Sequence, residues 1–199
     1  MRVCAAALLV AVAAVGCSSR PAPSAEPSAS TPLATSPPPT ATPCVVAGAE
    51  MTPARRSAAS GEQALLADVR YSTGACPRVV FQFENRTPSY LVEYREPPFA
   101  QCASGQVVDT SGWGAGAYLV VHSNDAAGVD TTHPTFRQTY TKSKDIAISS
   151  AILRRLHETC DFEATLEWVI GLDARRPYKV SVFSSPPRLV VDVAAATRS

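Results

Sequence analysis

The stretch Ala164–Val193, ATLEWVIGLDARRPYKVSVFSSPPRLVVDV, decides the fold class. In its first segment Ala164, Leu166, Trp168, Ile170 and Leu172 fall on one side, and Thr165, Glu167, Val169 and Gly171 on the other. Successive side chains of a strand point to opposite faces, so a period of two predicts a half-buried β-strand. The next segment sets Tyr178, Val180 and Val182 against Lys179 and Ser181, and the third sets Leu189, Val191 and Val193 against Arg188 and Asp192. The breaks between them, Asp173–Pro177 and Ser184–Pro187, are made of turn residues.

Working outward, the same alternation recurs. Ala67, Val69 and Tyr71 oppose Asp68, Arg70 and Ser72, and Val79, Phe81 and Phe83 alternate with Val80, Gln82 and Glu84. Tyr90, Val92 and Tyr94 oppose Leu91, Glu93 and Arg95, while Ala117, Leu119 and Val121 oppose Tyr118, Val120 and His122. Short strands at close spacing, separated by Gly, Pro and Asn, predict an all-β sandwich or barrel. Ile146–Thr159 differs: Ile148, Ile152 and Leu156 recur every four residues, and the local pattern favours a helix.

The beginning of the chain reads as a targeting segment. Arg2 precedes an apolar run from Val3 to Val15, which is shorter than the roughly 20 residues of a membrane-spanning helix and suits a secretory signal. It ends in Ala14-Val15-Gly16-Cys17, which resembles a bacterial lipobox, with Ala14 where leucine is usual. The resemblance implies cleavage before Cys17 and a diacylglycerol on its thiol. Two acyl chains hold a protein at a membrane stably where one, at about 0.8 kcal/mol per buried methylene, holds it marginally. Residues 18–43 are nearly all Ser, Pro, Ala and Thr, with eight prolines. Such a composition cannot bury enough apolar surface to offset its ordering entropy, so it predicts an extended, disordered tether.

The expected organisation is a lipoprotein signal peptide over residues 1–16 and a lipidated cysteine with a linker over 17–43. A domain extension over 44–64, the folded domain over 65–195 and a tail over 196–199 follow. Of the 18 Lys and Arg and 17 Asp and Glu, Arg2, Arg20 and Glu26 precede Cys44, leaving 16 of each sign in the domain. This balance lacks the basic footprint of a nucleic-acid binder. The pairs Arg55-Arg56, Arg154-Arg155 and Arg175-Arg176 read as solvated turns and strand edges, with Arg175 and Arg176 retained as candidate ligand contacts.

Cys44, Cys76, Cys102 and Cys160 form an even set in an exported chain, which predicts disulfides with three possible connectivities. One strand down and one strand back would leave Cys76 and Cys102 at the same end of a sheet. The expected pairs are therefore Cys76–Cys102 and, by elimination, Cys44–Cys160. No CxxC spacing suggests a metal site, and no metal or cofactor is expected.

Four stretches in order, DVRYSTGACPRVVFQFEN (Asp68–Asn85), SYLVEYREPP (Ser89–Pro98), DFEATLEWVIGLD (Asp161–Asp173) and RPYKVSVFSSPPRLVVDV (Arg176–Val193), resemble the AMIN-like domain. That domain recurs in exported proteins and lipoproteins of actinobacteria. The resemblance covers about Leu65–Ala195 and implies a β-sandwich in which Ala151–Thr159 is a strand leading into a turn at Asp161-Phe162-Glu163. The related AMIN domain of cell-wall amidases and secretins targets partners to the envelope and is credited with binding peptidoglycan.

No catalytic constellation is legible. The three histidines, His122, His133 and His157, belong to no HExxH motif, and there is no GxSxG and no phosphate-binding glycine loop. Asn124, Asp125 and Asp130 lack calcium-loop spacing and read as a solvated turn. Asp161 and Glu163 share strand-neighbour spacing but suit a turn better than an acid–base pair. Trp113, flanked by Gly112 and Gly114, is a candidate sugar platform or a cover for a core edge, whereas Trp168 reads as core. The sequon Asn85-Arg86-Thr87 matters only in a eukaryotic secretory pathway. The sequence thus points to a non-enzymatic lipoprotein on the outer face of the cytoplasmic membrane that binds peptidoglycan or an envelope protein. The competing expectation is a small-ligand carrier or sensor with a pocket between its sheets.

Overall fold

The computed structural model describes residues 44–58, 61–132 and 134–195; the signal segment, Cys17, the linker, His133 and the tail lie outside them. The strands in chain order are β1 (Ala54–Arg56), β2 (Ala64–Ser72), β3 (Arg78–Phe83), β4 (Ser89–Tyr94), β5 (Phe99–Ala100) and β6 (Val107–Val108). After a 3-10 turn at Ser111–Trp113 come β7 (Ala117–Asn124), β8 (Ala126–Ala127), β9 (Val129–Asp130), β10 (Arg137–Gln138) and β11 (Asp145–Ala147). The series closes with β12 (Leu153–Phe162), β13 (Thr165–Leu172), β14 (Tyr178–Ser184) and β15 (Pro187–Val193).

Two sheets form a sandwich. One has the order β1-β4-β7-β13-β12-β11 and the other β14-β15-β3-β2-β8, and only the short β2–β8 pairing is parallel. The fold is all-β, as the alternating segments imply. The three C-terminal strands divide between the sheets: β13 sits at the middle of the first, and β14 and β15 form one side of the second.

The interior is filled by side chains the period-two pattern selects. Leu166, Trp168, Ile170 and Leu172 of β13 meet Phe81, Phe83, Leu189 and Val191 from the other sheet. The Trp168 ring packs edge-on against Phe81 at 6.0 Å and Tyr140 at 5.8 Å, a favoured aromatic geometry. Tyr178 is 3% exposed and donates its hydroxyl to the Val92 carbonyl at 2.7 Å, so its buried oxygen is satisfied.

Three expectations about strands and turns need correction. In β2 a bulge between Leu66 and Asp68 shifts the register, so Leu66 and Val69, three apart, both enter the core and Tyr71 is left exposed. The helix signal of Ile146–Thr159 fails, as the family resemblance implied. Its four-residue spacing spans two strands and the turn between them, with Ile146 opposite Leu156 in the ladder. Ser150 stabilises that turn, accepting from the Leu153 N–H at 3.0 Å and donating to its carbonyl at 2.8 Å. The next hairpin turns at Glu163-Ala164, both with positive φ, rather than at Asp161, which is still paired in β12.

The disulfides are Cys44–Cys76 and Cys102–Cys160, with Cα separations of 5.3 and 5.1 Å, and the expected pairing is overturned. The one-down, one-back argument assumed that β3 and β4 share a sheet, but the chain crosses the sandwich between them. Cys76 thus stays near the end of β15, where Val193 donates to Pro77, and the next turn of chain brings Ala195 to the Cys44 carbonyl. Proteolysis without reductant followed by mass spectrometry should yield peptides joined as Cys44–Cys76 and Cys102–Cys160, and none joining Cys76 to Cys102.

Candidate functional site

Strand β7 is buried on both sides. Leu119 and Val121 face the sandwich core, while Tyr118 and Val120 face outward and are still only 9% and 0% exposed. What covers them is the segment between β4 and β7. It contributes Phe99 and Trp113, which with Tyr118, Val120 and Val169 make a second, smaller core on the outer face of the first sheet. The Phe99 and Trp113 rings meet Tyr118 at 5.4 and 5.9 Å.

Gly171 makes room for this cover. A Cβ there would lie 3.2 Å from Trp113 Cε3 and 3.3 Å from Ala115 Cβ, so the absence of a side chain lets the indole sit down on the sheet. The covering segment is fastened by the Cys102–Cys160 disulfide and by the Cys102 N–H, which donates to the Thr159 carbonyl at 3.0 Å. A register shift between Glu158 and Cys160 sets Cys160 opposite Glu167, on the outward side of the ladder.

A groove of about 290 Å³ opens where the cover meets the sheet edge. Gln101, Gln106, Val107, Val108 and Asp109 form one wall; Asp145, Arg155 and His157 form the other, with Trp113 between them. The polar groups are mutually fixed. Arg155 forks onto Asp145 through Nε at 2.6 Å and through Nη2, and its guanidinium lies 5.5 Å from the Trp113 ring. His157 Nδ1 is 3.1 Å from Asp145 Oδ1, and its Nε2 is 3.1 Å from Gln101 Nε2.

The Gln101 amide orientation follows from its other partner. Gln101 Nε2 also donates to the Glu158 carbonyl at 3.1 Å, which can only accept. The imidazole Nε2 facing the same NH2 group is then positioned to accept from it. Hydrogen bonds from Arg155 hold the Asp145 carboxyl below its usual range, with burial opposing and His157 assisting. Bonds from the Ser111 hydroxyl and N–H do the same for Asp109.

A second polar cluster braces the outer face. Burial alone would raise the Glu167 carboxyl, but hydrogen bonds from Arg95, His122 and Thr159 outweigh it and hold the group below its usual range. His122 Nδ1 and Thr159 Oγ1 lie 2.9 and 2.8 Å from its oxygens. A third cluster lies in the C-terminal half of β12, where Lys144 reaches Glu158 at 2.7 Å and Asp161 at 3.3 Å.

The residues singled out from sequence fare differently. Trp113 lines the groove, but it is 7% exposed and lies near the Arg155 guanidinium, so it is cover and floor rather than an open stacking platform. Arg175 and Arg176 do not line the groove. Arg175 lies over the Tyr94 ring at 4.9 Å, and Arg176 forks onto Asp173 at 2.8 and 2.7 Å, bracing the turn before β14. Asp161 accepts from the Gly128 N–H and pairs with Lys144, while Glu163 is exposed in the hairpin turn, so the two form no facing carboxylate pair. Asp130 is not simply solvated: it is 8% exposed and accepts from the N–H and hydroxyl of Thr132. Among the described residues no group of three or more His, Cys, Asp or Glu could hold a metal ion.

Gln101, Gln106, Asp109 and Asp145 are not among the candidates read from sequence, and Arg155 enters there only within the Arg154-Arg155 pair. No spacing links them; the only sequence signal was the apolar Tyr118 and Val120 on a face expected to be polar.

The family model for the AMIN-like domain matches residues 64–195. The chain belongs to the AMIN-like domain family. No curated protein and no solved structure matches it. The matched span takes in every strand of both sheets except β1, and within the AMIN-like domain the cover from β5 to Trp113 and the groove beneath it lie wholly inside the match.

Two outcomes follow from this geometry. Gly171→Ala should displace Trp113 and lower stability by about 1–3 kcal/mol in urea unfolding, and the loss should shrink in a Trp113→Ala background. Burial pushes the Glu158 carboxyl up to about 7, although Lys144 opposes it. The folded state therefore binds this proton more tightly than the unfolded chain, and Glu158's contribution is full below about 4.5 and lost as pH rises through about 7. Melting curves from pH 5 to 8 should show Glu158→Gln removing that part of the pH dependence.

Proposed function

We propose that the chain is a non-catalytic cell-envelope module, exported and anchored through lipid on Cys17, whose AMIN-like domain binds peptidoglycan or an envelope protein. The observation that carries the reading is the family match over residues 64–195. Two disulfides support it, because such bonds persist in oxidising compartments outside the cytosol. The lipobox-like Ala14–Cys17 and the proline-rich linker support anchoring at a distance from the membrane.

The competing carrier reading, with a ligand between the sheets, finds no support in the interior. Phe81, Phe83, Trp168 and Tyr178 are each no more than 3% exposed and occupy that space. A surface groove with fixed polar groups fits a docking module better than an enclosed carrier.

Co-sedimentation with purified peptidoglycan sacculi tests the reading directly. Saturable binding should persist at about 0.3 M salt, where exposed charge contacts are heavily screened. Binding that vanishes with salt would count against a specific wall module. Cys17→Ala should move the protein from the membrane fraction to the soluble fraction, and continued membrane retention would refute the anchor.

A further inference from the structure

We propose that the groove between β6 and β12 binds an uncharged pyranose sugar. The inference rests on the envelope-binding reading above and names the chemistry that this surface would take from the envelope.

The polar lining is built from planar groups. Gln101, Gln106, Asp109, Asp145, Arg155 and His157 each carry two or more hydrogen-bonding atoms in a fixed plane. Neighbouring ring hydroxyls, which both donate and accept, match such forks. No lysine lines the groove, so no flexible point charge is available to seize an anion.

Charge points the same way. Asp109 and Asp145 are both held in their ionised form by hydrogen bonds, against the single cation Arg155, whose fork is already spent on Asp145. Two carboxylates against one guanidinium leave these groups with a net negative charge, which disfavours phosphate or carboxylate ligands. Val107, 64% exposed, and Val108 supply apolar contact for the C–H faces of a sugar ring.

The site is formed before any ligand arrives. Asp145 ties Arg155, Gln101 ties His157 to the Glu158 carbonyl, and the adjacent disulfide ties Gln101's own loop to the sheet. Side chains already immobilised lose little entropy on binding. The volume of about 290 Å³ stands at the lower end of small-molecule sites, about 300–1,000 Å³, which suits one ring rather than a long polymer segment.

The test is a titration of the full-length protein with tri-N-acetylchitotriose, cellotriose and inorganic phosphate. It is followed by two-dimensional NMR of the Gln101 and Gln106 side-chain amides and the Trp113 indole. At least one neutral trisaccharide should shift these signals saturably, and phosphate should not. The preferred trisaccharide tells whether ring hydroxyls suffice or acetamido groups are needed. Gln106→Ala, which truncates a loop side chain, should weaken sugar binding about tenfold while leaving the rest of the spectrum in place. The inference is overturned if Gln106→Ala binds unchanged, if the shifts fall elsewhere, or if phosphate competes. Binding of sacculi without either trisaccharide overturns the sugar site and leaves the proposed function standing, whereas loss of both overturns the two together.

Discussion

Strands β7 and β13 carry apolar side chains on both faces, and this constraint shapes the rest of the molecule. Their inner side chains demand the second sheet; their outer ones, Tyr118, Val120 and Val169, demand a cover. Leaving those three in water would forfeit roughly 1.5–3 kcal/mol for each large apolar side chain. The chain meets the demand with the excursion between β4 and β7, seats Trp113 on Gly171, and closes the arrangement with Cys102–Cys160. The groove is where that cover stops.

The polar groups at the rim are consistent with this origin. A segment lying across a sheet brings its own backbone and side-chain hydrogen-bonding groups against strands that also need partners. Gln101, caught between His157 and the Glu158 carbonyl, satisfies both. The bulge in β12 serves the same end, because it sets Cys160 on the outward side while Glu158 remains beside Lys144. One local irregularity thus supports the disulfide that fastens the cover.

Glu167 and Glu158 illustrate how partner number decides charge. Glu167 receives hydrogen bonds from three side chains and stays below its usual range despite burial. Glu158 is also mostly buried, has Lys144 as its main partner and Asp161 as a like-charged neighbour, and is pushed up to about 7. The former braces the covered face, and the latter makes the C-terminal half of β12 sensitive to pH.

The sequence alone determined the all-β class, the strand positions and most of the core, because a period of two is a local property that survives into the folded state. It also carried the family resemblance, the even cysteine count and the candidate lipid cysteine. It misread β2 and Ile146–Thr159, where a bulge and a turn imitate other periods. Tertiary structure alone decided the disulfide pairing, since that depends on which sheet each strand joins. It likewise decided that Trp113, Gln101, Arg155 and His157 meet at one groove while Arg176 braces the turn before β14 and Arg175 lies over Tyr94. Such meetings arise from contacts between residues far apart in the chain, and no local spacing records them.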